Sequence, residues 1–555
     1  MNGQPTHTSK LKAFTRRNFI IRTGIFFTGL ASLGLFYRKW KYPPSKIIIP
    51  GKIVGPDFTH GHHLRGGAMP EPSEVRHVKH VVVGGGISGL SAARWLKSNS
   101  EDPFLLLELE RETGGNAISG TNEVSAYPWG AHYLPIPNLS FKELEDFLSE
   151  AGIITGYDQQ KLPVYNEDYL CFDPEERLHI YGHWQLGLVP EVGVPKSERK
   201  EIASFLSMME TFKNAKGEDG LYAFDIPLDK SSKDEQFQKL DQINMEKFLQ
   251  LHQFTSPHLC WYVEYCCRDD YGTNLRNTSA WAGIHYFAAR RATASNADPH
   301  TVLTWPEGNA FLAQKLKYNF EENIQRACLV HSVKISGNKV EIDYLHTESN
   351  FVNRIIADKC ILSTPQFVNK RIVKDAGVRS EEMYNKFTYA PWFIANLTVK
   401  DLKETKGAPL CWDNVFYNSK SLGYINATQQ HQKVYQGKKA FTYYYPLTDK
   451  DPVEERKIAL LKKHEDWMET VTADLEHAHP GISKNIENAD VWVWGHGMIR
   501  PTTGFISSVE RKEAAKPLGN KIFFAHSDLS GISIFEEAFY QGIRAARELL
   551  NQESV

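Results

Sequence analysis

An excess of charge of either sign is what this sequence most plainly lacks. Its 64 lysines and arginines nearly match its 66 aspartates and glutamates, so the formal net charge is -2. No basic stripe with interleaved aromatic residues occurs, and we therefore expect no nucleic-acid partner. Internal repeats and low-complexity tracts are absent as well. A chain of 555 residues with ordinary hydrophobic content is then a globular protein of two or more domains.

Cysteine is scarce, with seven residues in the whole chain. Their spacing matches no metal-binding pattern, and the last of them is Cys411. Three histidines, His60, His62 and His63, stand close together near the N-terminus. No carboxylate is fixed beside them, and histidines in such a segment are usually solvated, so we expect no metal site.

No apolar run near the N-terminus is long enough for an ordinary membrane-spanning helix. The run from Gly24 to Phe36 has the length of a signal-peptide core. It follows Thr15-Arg16-Arg17-Asn18-Phe19-Ile20, which resembles a twin-arginine export signal. This resemblance implies the twin-arginine export machinery as a partner and a periplasmic location. Arg38, Lys39 and Lys41 stand where a cleavage site would be. The signal can therefore remain uncleaved as an anchor on the periplasmic face of the inner membrane. An amphipathic or single-pass anchor of a cytosolic enzyme is the alternative that stays open.

A glycine turn dominates the rest of the chain. The stretch from His80 to Leu96 begins as an apolar strand, passes through G-x-G-x-x-G and continues as a helix. The first glycine permits a tight turn, the second lets backbone N–H groups approach a pyrophosphate, and the third lets the helix pack closely on the strand. The pattern predicts a dinucleotide site that includes Gly84, Gly86, Ile87, Ser88 and Gly89.

A second apolar run, Phe104-Leu105-Leu106-Leu107, ends at Glu108, which stands roughly 20 residues past the glycines. This is the position of the acid that accepts hydrogen bonds from the ribose hydroxyls in a βαβ unit. A carboxylate there would repel a 2′-phosphate. We therefore expect an FAD-type or NAD-type nucleotide rather than NADP.

The residues after Glu108 distinguish between FAD and NAD. Leu109-Glu110-Arg111-Glu112-Thr113-Gly114-Gly115-Asn116 resembles the signature of flavin amine oxidases, protoporphyrinogen oxidases and phytoene desaturases. The resemblance implies FAD and places Gly114, Gly115 and Asn116 at its diphosphate. Asn116 is a departure, because the family usually has an arginine there, and backbone amides would have to do most of the phosphate binding. Some monoamine oxidases tether FAD covalently through a C-terminal cysteine, which has no counterpart here because no cysteine lies beyond Cys411. The resemblance therefore implies noncovalent FAD.

Later segments match the same superfamily in the same order along the chain. They are residues 305–312, 330–342, 357–365, 491–501 and 521–542. By this resemblance a valine backbone contacts adenine, a Thr-Pro turn stands beside the cofactor, and an acid follows the last strand. The final helix points its N-terminus at the flavin, where the helix dipole stabilises the reduced anion. The residues assigned in this way are Val330, Thr364, Pro365, Asp528, Glu537 and Ala538.

The resemblance implies an α/β fold with two parts. One is a Rossmann-like FAD-binding domain built from discontinuous segments, and the other is an inserted α+β substrate domain of the amine oxidase type. The predicted boundaries are 1–44 for the signal or anchor, 45–78 for a linker, 79–136, 300–369 and 486–555 for the FAD-binding domain, and 137–299 and 370–485 for the substrate domain. Helical patterns at 141–151, 196–213, 244–252 and 257–267 fall in the inserted part.

Three residues are candidates for catalysis. The segment that holds Trp129 and His132 crosses one face of the flavin ring in the resembling families, and a neutral imidazole at His132 could orient substrate or shuttle a proton. Simple packing is the competing interpretation of Trp129. Asn396 or a neighbour stands where many amine oxidases present a lysine that holds water at flavin N5. This departure leaves both oxygen and a quinone open as the electron acceptor.

Carboxylates and aromatic residues occur together at Arg268-Asp269-Asp270-Tyr271-Gly272 and in the helix pattern that follows. Such groups suit a cationic amine, although a capped helix end with a core aromatic stripe explains them equally well. We expect an exported FAD-dependent oxidoreductase that transfers a hydride from a C–H bond of a small-molecule substrate, an amine or polyamine, to flavin N5. The alternatives are a desaturase or protoporphyrinogen-type dehydrogenase with a large apolar substrate, and a non-catalytic flavin electron relay.

Overall fold

The structure is a computed structural model that describes residues 47–66, 69–374, 379–403, 405–431 and 437–551. The predicted export signal at residues 15–20 lies outside these ranges. Residues 49–555 cluster as one unit, whose described part is presented below. Among the helices in the described ranges, none has the length and apolar character that crossing a bilayer requires.

A seven-stranded sheet carries the glycine turn. Six strands lie in the spatial order Ile324–Gln325, Phe104–Leu107, Glu74–Val83, Phe351–Leu362, Lys339–His346 and Cys328–Ser336, and the seventh, Ile522–Phe524, pairs with Phe351–Leu362. The strand Glu74–Val83 is parallel to both of its neighbours, and the helix Ile87–Asn99 makes the crossover that parallel pairing requires. Distant parts of the chain thus form one Rossmann-like sheet, which confirms the predicted fold class.

The crossover helix Ile87–Asn99 is in direct backbone contact with its neighbours. A Cβ atom on Gly89 would lie 1.8 Å from the carbonyl oxygen of Gly84. A Cβ atom on Gly542, in the C-terminal helix Phe535–Leu549, would lie 2.2 Å from the carbonyl oxygen of Ser88. Only glycine fits at either position. The two contacts fix the start of the crossover helix against the sheet on one side and the C-terminal helix on the other.

An eight-stranded, mostly antiparallel sheet forms the second part of the fold. Its strands lie in the order Ile53–Val54, Ile486–Ile499, Tyr389–Lys400, Lys438–Pro446, Gly423–Asn426, Asp413–Phe416, Glu176–Ile180 and His183–Leu186. The strand Ile486–Ile499 pairs with Tyr389–Lys400 over nearly its whole length, from Tyr389 opposite Ile499 to Val399 opposite Ile486. Residues 486–499 therefore lie in this sheet and not in the nucleotide-binding sheet, where the predicted boundary put them.

The predicted linker, residues 45–78, contains regular structure. The strand Ile53–Val54 is followed by a helical turn, Phe58–Gly61, and a 3₁₀ turn, His62–Arg65. We call residues 53–65 the N-terminal strap. The first nucleotide-sheet strand begins at Glu74, five residues before the predicted start at 79. Its first four residues are exposed and mostly polar, so they lack the apolar pattern that marks a buried strand.

Helices surround the two sheets. The four patterns predicted in the inserted part are confirmed as Lys142–Glu150, Lys196–Asn214, Met245–Leu251 and Pro257–Tyr271. The other helices are Glu235–Gln238, Ala280–Ala288, Ala310–Lys317, Gln366–Ile372, Glu381–Asn385, Pro452–Leu461, His464–Ala478 and Val509–Ala515, and small two-stranded sheets pair Ser119–Thr121 with Ala126–Pro128, Tyr133–Pro135 with Val302–Thr304, and Ile154–Tyr157 with Pro163–Tyr165. The helix Pro257–Tyr271 runs past its predicted end and so carries Asp269 and Asp270 in its last turn.

Replacement of Gly89 tests the backbone contact. We expect Gly89→Ala to lower the stability of the protein by about 1–3 kcal/mol or more, because the new methyl group overlaps the Gly84 carbonyl and forces the helix away. Gly156→Ala is the matched control, since a Cβ atom there meets nothing within 4 Å. Melting temperatures followed by circular dichroism compare the two variants. Equal melting temperatures would show that the helix can shift without cost.

Candidate functional site

A cavity of about 990 Å³ lies at the carboxyl ends of the parallel strands and reaches the eight-stranded sheet. Val83, Leu107 and Ser363, which end or follow three parallel strands, line it on one side. Trp392 and Tyr444 from the antiparallel sheet line it on the other. Open α/β sheets bind ligands at this edge, and the volume is at the upper end of the range of about 300–1,000 Å³ found for ligand pockets. The cavity has room for a large ligand.

Side-chain-free backbone forms one wall of this cavity. Gly84, Gly114 and Gly115 adopt φ angles of +97°, +135° and +59°. A Cβ atom on Gly115 would lie 3.2 Å from the Cα atom of Gly86, so the two glycine segments face each other closely. The crossover helix begins after Gly86 with no side-chain cap. A bare helix N-terminus beside glycine backbone is a cradle for a phosphate group.

Glu108 lines the cavity next to this cradle. Its Oε2 accepts a hydrogen bond from the Gly85 N–H at 2.5 Å, and its Oε1 accepts one from the Glu110 N–H at 2.8 Å. Burial raises the pKa of Glu108, and the two N–H groups act in the opposite direction. The carboxylate is thus held in a fixed orientation at the point where a βαβ unit binds a ribose.

Most of the residues predicted to bind the cofactor line the same cavity. They are Gly84, Gly86, Ile87, Ser88, Glu108, Gly114, Gly115, Asn116, Val330, Thr364, Pro365, Asp528 and Ala538. The structure thus brings together residues that are up to several hundred positions apart in the sequence. Two predicted residues, Gly89 and Glu537, are not among the lining residues.

Gly89 and Glu537 have other places in the structure. Gly89 packs against Gly84, as the motif predicts. Glu537 is buried, its Oε1 accepts a hydrogen bond from the Leu228 N–H at 2.6 Å, and burial raises its pKa to about 8. Its carboxyl group thus joins the C-terminal helix to the 3₁₀ turn Leu228–Lys230 of the inserted part, and its contact with the cofactor stays a prediction.

Asp528 is buried where the two sheets meet. Its Oδ2 accepts hydrogen bonds from the Tyr389 hydroxyl at 2.5 Å and from the Gln366 N–H at 2.9 Å. Burial opposes ionisation, but His526, at 3.0 Å, and these two donors outweigh it, so the pKa of Asp528 is lowered. Asp528 is therefore an ionised acceptor on the cavity wall.

His132 stands in an aromatic wall of the cavity. Its ring centroid lies 4.6 Å from that of Tyr444 and 5.6 Å from that of Trp412. Nδ1 lies 3.3 Å from the Gly130 carbonyl oxygen, which requires the proton on Nδ1 and leaves Nε2 as an acceptor. Burial lowers the pKa of His132 to about 4, so the ring is neutral near pH 7. This is the state predicted for it.

Trp129 and Asn396 do not line the cavity, in contrast to their predicted catalytic role. Asn396 donates a hydrogen bond from Nδ2 to the Pro128 carbonyl at 3.0 Å and accepts one from the Thr442 hydroxyl at 2.6 Å. Its strand does reach the cavity, but with Trp392 and Ile394, and Asn396 lies beyond them. Trp129 is buried, with its ring packed in an aromatic cluster. Both side chains stabilise the sheet packing.

Three carboxyl groups lie at the substrate-domain end of the cavity: Asp269, Asp270 and Asp413. Burial raises the pKa of Asp269 to about 8, with a further rise from Asp270 and an opposing hydrogen bond from Tyr133. Burial also raises the pKa of Asp270 to about 6 and that of Asp413 well above its usual range. Within the described residues, no lysine, arginine or histidine nitrogen lies within 4 Å of any of these carboxylates, and Arg290 beside them pairs with Glu536. We call these three residues the acid cluster.

Sequence reasoning identified only part of this site. It singled out Asp269 and Asp270, because their carboxylates occur together with Tyr271 and with the aromatic residues that come later in the chain. It missed Asp413, a single aspartate in a segment with no motif, and it missed the strap residues Asp57 and Arg65, which also line the cavity. Nothing in the local sequence of these residues marks them as part of a site.

The raised pKa of Asp269 makes stability depend on pH. Because its pKa is about 8 in the folded protein against an ordinary value of 3.8, the folded state binds a proton that the unfolded state releases at neutral pH. Stability is then lost as pH rises from the lower value to the higher. We expect Asp269→Asn, without bound ligand, to melt at a higher temperature than the unsubstituted protein at pH 7–8 and at a similar temperature at pH 4. The exposed control Asp298→Asn should show no such divergence, and a parallel pH dependence in all three proteins would refute the assignment.

Comparisons with known proteins agree with this architecture. The family model described as NAD(P)-binding Rossmann-like domain matches residues 82–151. No curated protein is similar enough in sequence to match the chain.

Two oxidases and one isomerase are among the solved structures with the same fold. Putrescine oxidase bound to putrescine aligns with a TM-score of 0.64 at 13% identity and covers 86% of this chain and 100% of its own. Cyclohexylamine oxidase from Brevibacterium oxydans IH-35A gives 0.61 at 10% identity, with 85% and 99% covered, and the CLA-producing fatty acid isomerase from P. acnes gives 0.58 at 15% identity, with 84% and 97% covered. The chain therefore has the fold of amine oxidase-like flavoproteins, with a Rossmann-like domain at its centre.

Proposed function

We propose that this protein is an exported FAD-dependent oxidoreductase that removes a hydride from the carbon next to the nitrogen of an amine or polyamine. The observation that carries the proposal is the acid cluster at one end of a cavity whose other end is glycine backbone and Glu108. The first feature suits a cation and the second suits a nucleotide. Their presence in one cavity supports the binding of two different ligands side by side.

FAD fits the residues at the nucleotide end. Gly86 and Gly115 present backbone without side chains to the cavity, where N–H groups can approach a diphosphate. Glu108 can accept hydrogen bonds from ribose hydroxyls, and Asp528 can accept one from a further hydroxyl. When bound, FAD supplies a hydride acceptor at flavin N5. Glu108, which would repel a 2′-phosphate, is compatible with this nucleotide.

The cysteine contacts of the cavity support noncovalent binding. Among the described residues, the cysteine that lines the cavity is Cys328, two positions from Val330 at the expected adenine end. Burial raises the pKa of its thiol to about 12. A protonated thiol at this place is a poor nucleophile and is remote from the residues expected at the flavin ring.

The acid cluster would hold the charged end of the substrate. An ammonium group beside Asp269 and Asp413 stabilises their ionised forms, so amine binding lowers their pKa values and releases protons. The aromatic wall that includes Tyr444 and Trp392 would add cation–π attraction and exclude water. For a diamine, one nitrogen stays bound as the cation while the other approaches the reacting end.

The reacting nitrogen must be neutral, because its lone pair drives the hydride from the neighbouring carbon. His132 is neutral and has an unprotonated Nε2, so it can accept a hydrogen bond from that nitrogen and orient it, while the proton that the ammonium loses goes to solvent. The two electrons leave with the hydride, the imine that forms is hydrolysed by water, and oxygen or a quinone completes the cycle as electron acceptor. No strong acid is needed for these steps.

The acid cluster also distinguishes the amine proposal from a large apolar substrate. Three carboxyl groups in a cavity disfavour an uncharged hydrocarbon, since even their protonated forms would lose water without gaining a polar partner. The fold alone does not decide, because an amine oxidase and a fatty acid isomerase share it. The pattern at residues 15–20 supports export of the folded, FAD-loaded protein to the periplasm, with anchoring to the membrane as a second form of the same proposal.

Anaerobic titration of the FAD-loaded protein with putrescine tests the proposal. We expect bleaching of the flavin absorbance, and we expect Asp269→Asn to lower kcat/KM by about tenfold to a hundredfold, the range for loss of a hydrogen bond to a charged group. FAD content should not change in this variant. Asp298→Asn, an exposed aspartate outside the cavity, should behave like the unsubstituted protein.

Two results would contradict the proposal. One is flavin that stays oxidised with diamines, monoamines and amino acids but is bleached by an uncharged substrate. The other is a kcat/KM for amines that Asp269→Asn and the equivalent change at Asp413 leave unaltered, because the acid cluster would then not bind the substrate.

A further inference from the structure

The family's usual arginine, whose positive charge would face the diphosphate of the proposed FAD, is missing from the nucleotide end of the cavity. Asn116 stands where the resembling families have an arginine, and its Nδ2 donates a hydrogen bond to the Gly497 carbonyl. The side chain is thus engaged with the strand Ile486–Ile499 and is uncharged. A helix N-terminus contributes only about half of an elementary charge, whereas a diphosphate carries two negative charges. Another cation is expected close to Asn116.

Arg456 lies beside the same strand. It belongs to the helix Pro452–Leu461, lines the cavity, and has its Nη1 3.2 Å from the Tyr389 carbonyl oxygen and 3.5 Å from that of Gly495, two residues before Gly497. No described carboxylate lies within 4 Å of its guanidinium. Asp451 is nearby, but its side chain caps the helix by accepting a hydrogen bond from the Val453 N–H. Arg456 therefore brings an unneutralised charge to the cavity wall.

A second cation comes from the strap. Arg65 lines the cavity, is exposed, and has no carboxylate partner within 4 Å in the described ranges. Burial lowers the pKa of Arg456, Asp451 acts in the opposite direction, and Arg65 lowers it further. Burial, Arg456 and Arg65 lower the pKa of His496, which lines the same cavity, to about 3. Asp57, Glu110 and Asp451 also line the cavity, but among the described residues no carboxylate lies within 4 Å of either guanidinium. An anion bound between the two arginines would relieve their mutual repulsion.

The position of Arg65 is fixed by contacts of the strap. Ile53 pairs with Val491 in the eight-stranded sheet, and the Asp57 N–H donates a hydrogen bond to Oε1 of Glu110 at 2.8 Å. Glu110 lies two residues after Glu108, so the strap is joined directly to the nucleotide side of the cavity. Phe58 and Leu64 of the strap line the cavity as well.

We infer that Arg65 and Arg456 together bind the diphosphate of FAD and replace the arginine that Asn116 lacks. The strap, which precedes the first strand of the nucleotide sheet, is then part of the cofactor site and covers it. The inference rests on the proposed FAD function. It assigns the positive charge to two segments outside the Rossmann-like sheet, one before it in the chain and one from the inserted part.

Binding of FAD and riboflavin to flavin-free protein tests the inference. Riboflavin has no phosphate, so it reports on the ring site alone. We expect Arg65→Gln and Arg456→Gln each to raise the Kd for FAD about tenfold and to leave the Kd for riboflavin unchanged, both measured by quenching of flavin fluorescence. FAD affinity of the unsubstituted protein should also fall with added salt more steeply than that of either variant.

Three further variants make the test specific. Lys457→Gln removes an exposed charge from the same helix without touching the cavity and should bind FAD normally. Arg456→Lys keeps the charge and should retain most of the affinity, which separates charge from packing. Asn116→Arg in the double glutamine variant returns a cation to the family position and should restore FAD binding.

The possible outcomes decide between the alternatives. Unchanged FAD affinity in both glutamine variants would overturn the inference while leaving the proposed function intact. Equal losses for FAD and riboflavin would overturn it too, because the arginines would then support the fold or the ring site. Unchanged FAD affinity together with a higher KM for an anionic electron acceptor would also overturn the inference, because the two cations would then bind that acceptor. Failure of the unsubstituted protein to bind FAD at all would refute the proposed function itself.

Discussion

The backbone contact between Gly89 and the Gly84 carbonyl fixes the crossover helix against the glycine turn, and the nucleotide side of the cavity depends on it. It holds the crossover helix against the turn, and the same turn accepts a hydrogen bond at the Gly85 carbonyl from the Gly114 N–H at 2.8 Å. Glu108 is held in turn by the Gly85 N–H. Two glycine segments and an acid are therefore connected through backbone groups, whose geometry varies little. A wall built in this way suits a ligand that must be bound in one orientation.

Buried polar contacts hold the inserted part against this wall. Tyr389 donates to Asp528, Leu228 donates to Glu537, and Arg290 pairs with Glu536. Each contact joins the C-terminal region, which completes the nucleotide side, to a segment of the substrate side. The cavity is consequently continuous, with the acid cluster at one end and the glycine backbone, Glu108, Arg65 and Arg456 at the other. An oxidised cofactor and a cationic substrate could occupy it without competing for the same groups.

The parts of the site that the sequence predicted are those encoded by short spacing. Gly84, Gly86 and Glu108 occur within one βαβ unit, so chain distance and spatial distance agree, and the comparisons confirm the fold class that they imply. Asp413 and Arg65 reach the cavity through strand pairing and strap docking, which no local pattern records.

Two further differences between the prediction and the structure have physical causes. Asn396 shares a sheet face with Trp392 and Ile394, and alternation along a strand cannot tell at which residue a cavity ends. Residues 486–499 were predicted in the FAD-binding domain because they resemble the strand that precedes the final motif of the family. Their pairing with Tyr389–Lys400 is a long-range contact that this resemblance does not reveal. Predictions from resemblance were thus most accurate for backbone turns and least accurate for side chains on long strands.

The wall of the cavity includes residues from Pro56 near one end of the chain to Ala538 near the other. During synthesis the glycine turn leaves the ribosome early, whereas Asp528 and the final helix emerge last. A nascent chain can therefore fold its first strands, but the cavity is complete only when translation has finished. With the proposed flavin bound, yellow colour would mark a complete polypeptide, because a prematurely terminated one lacks the C-terminal wall of the cavity.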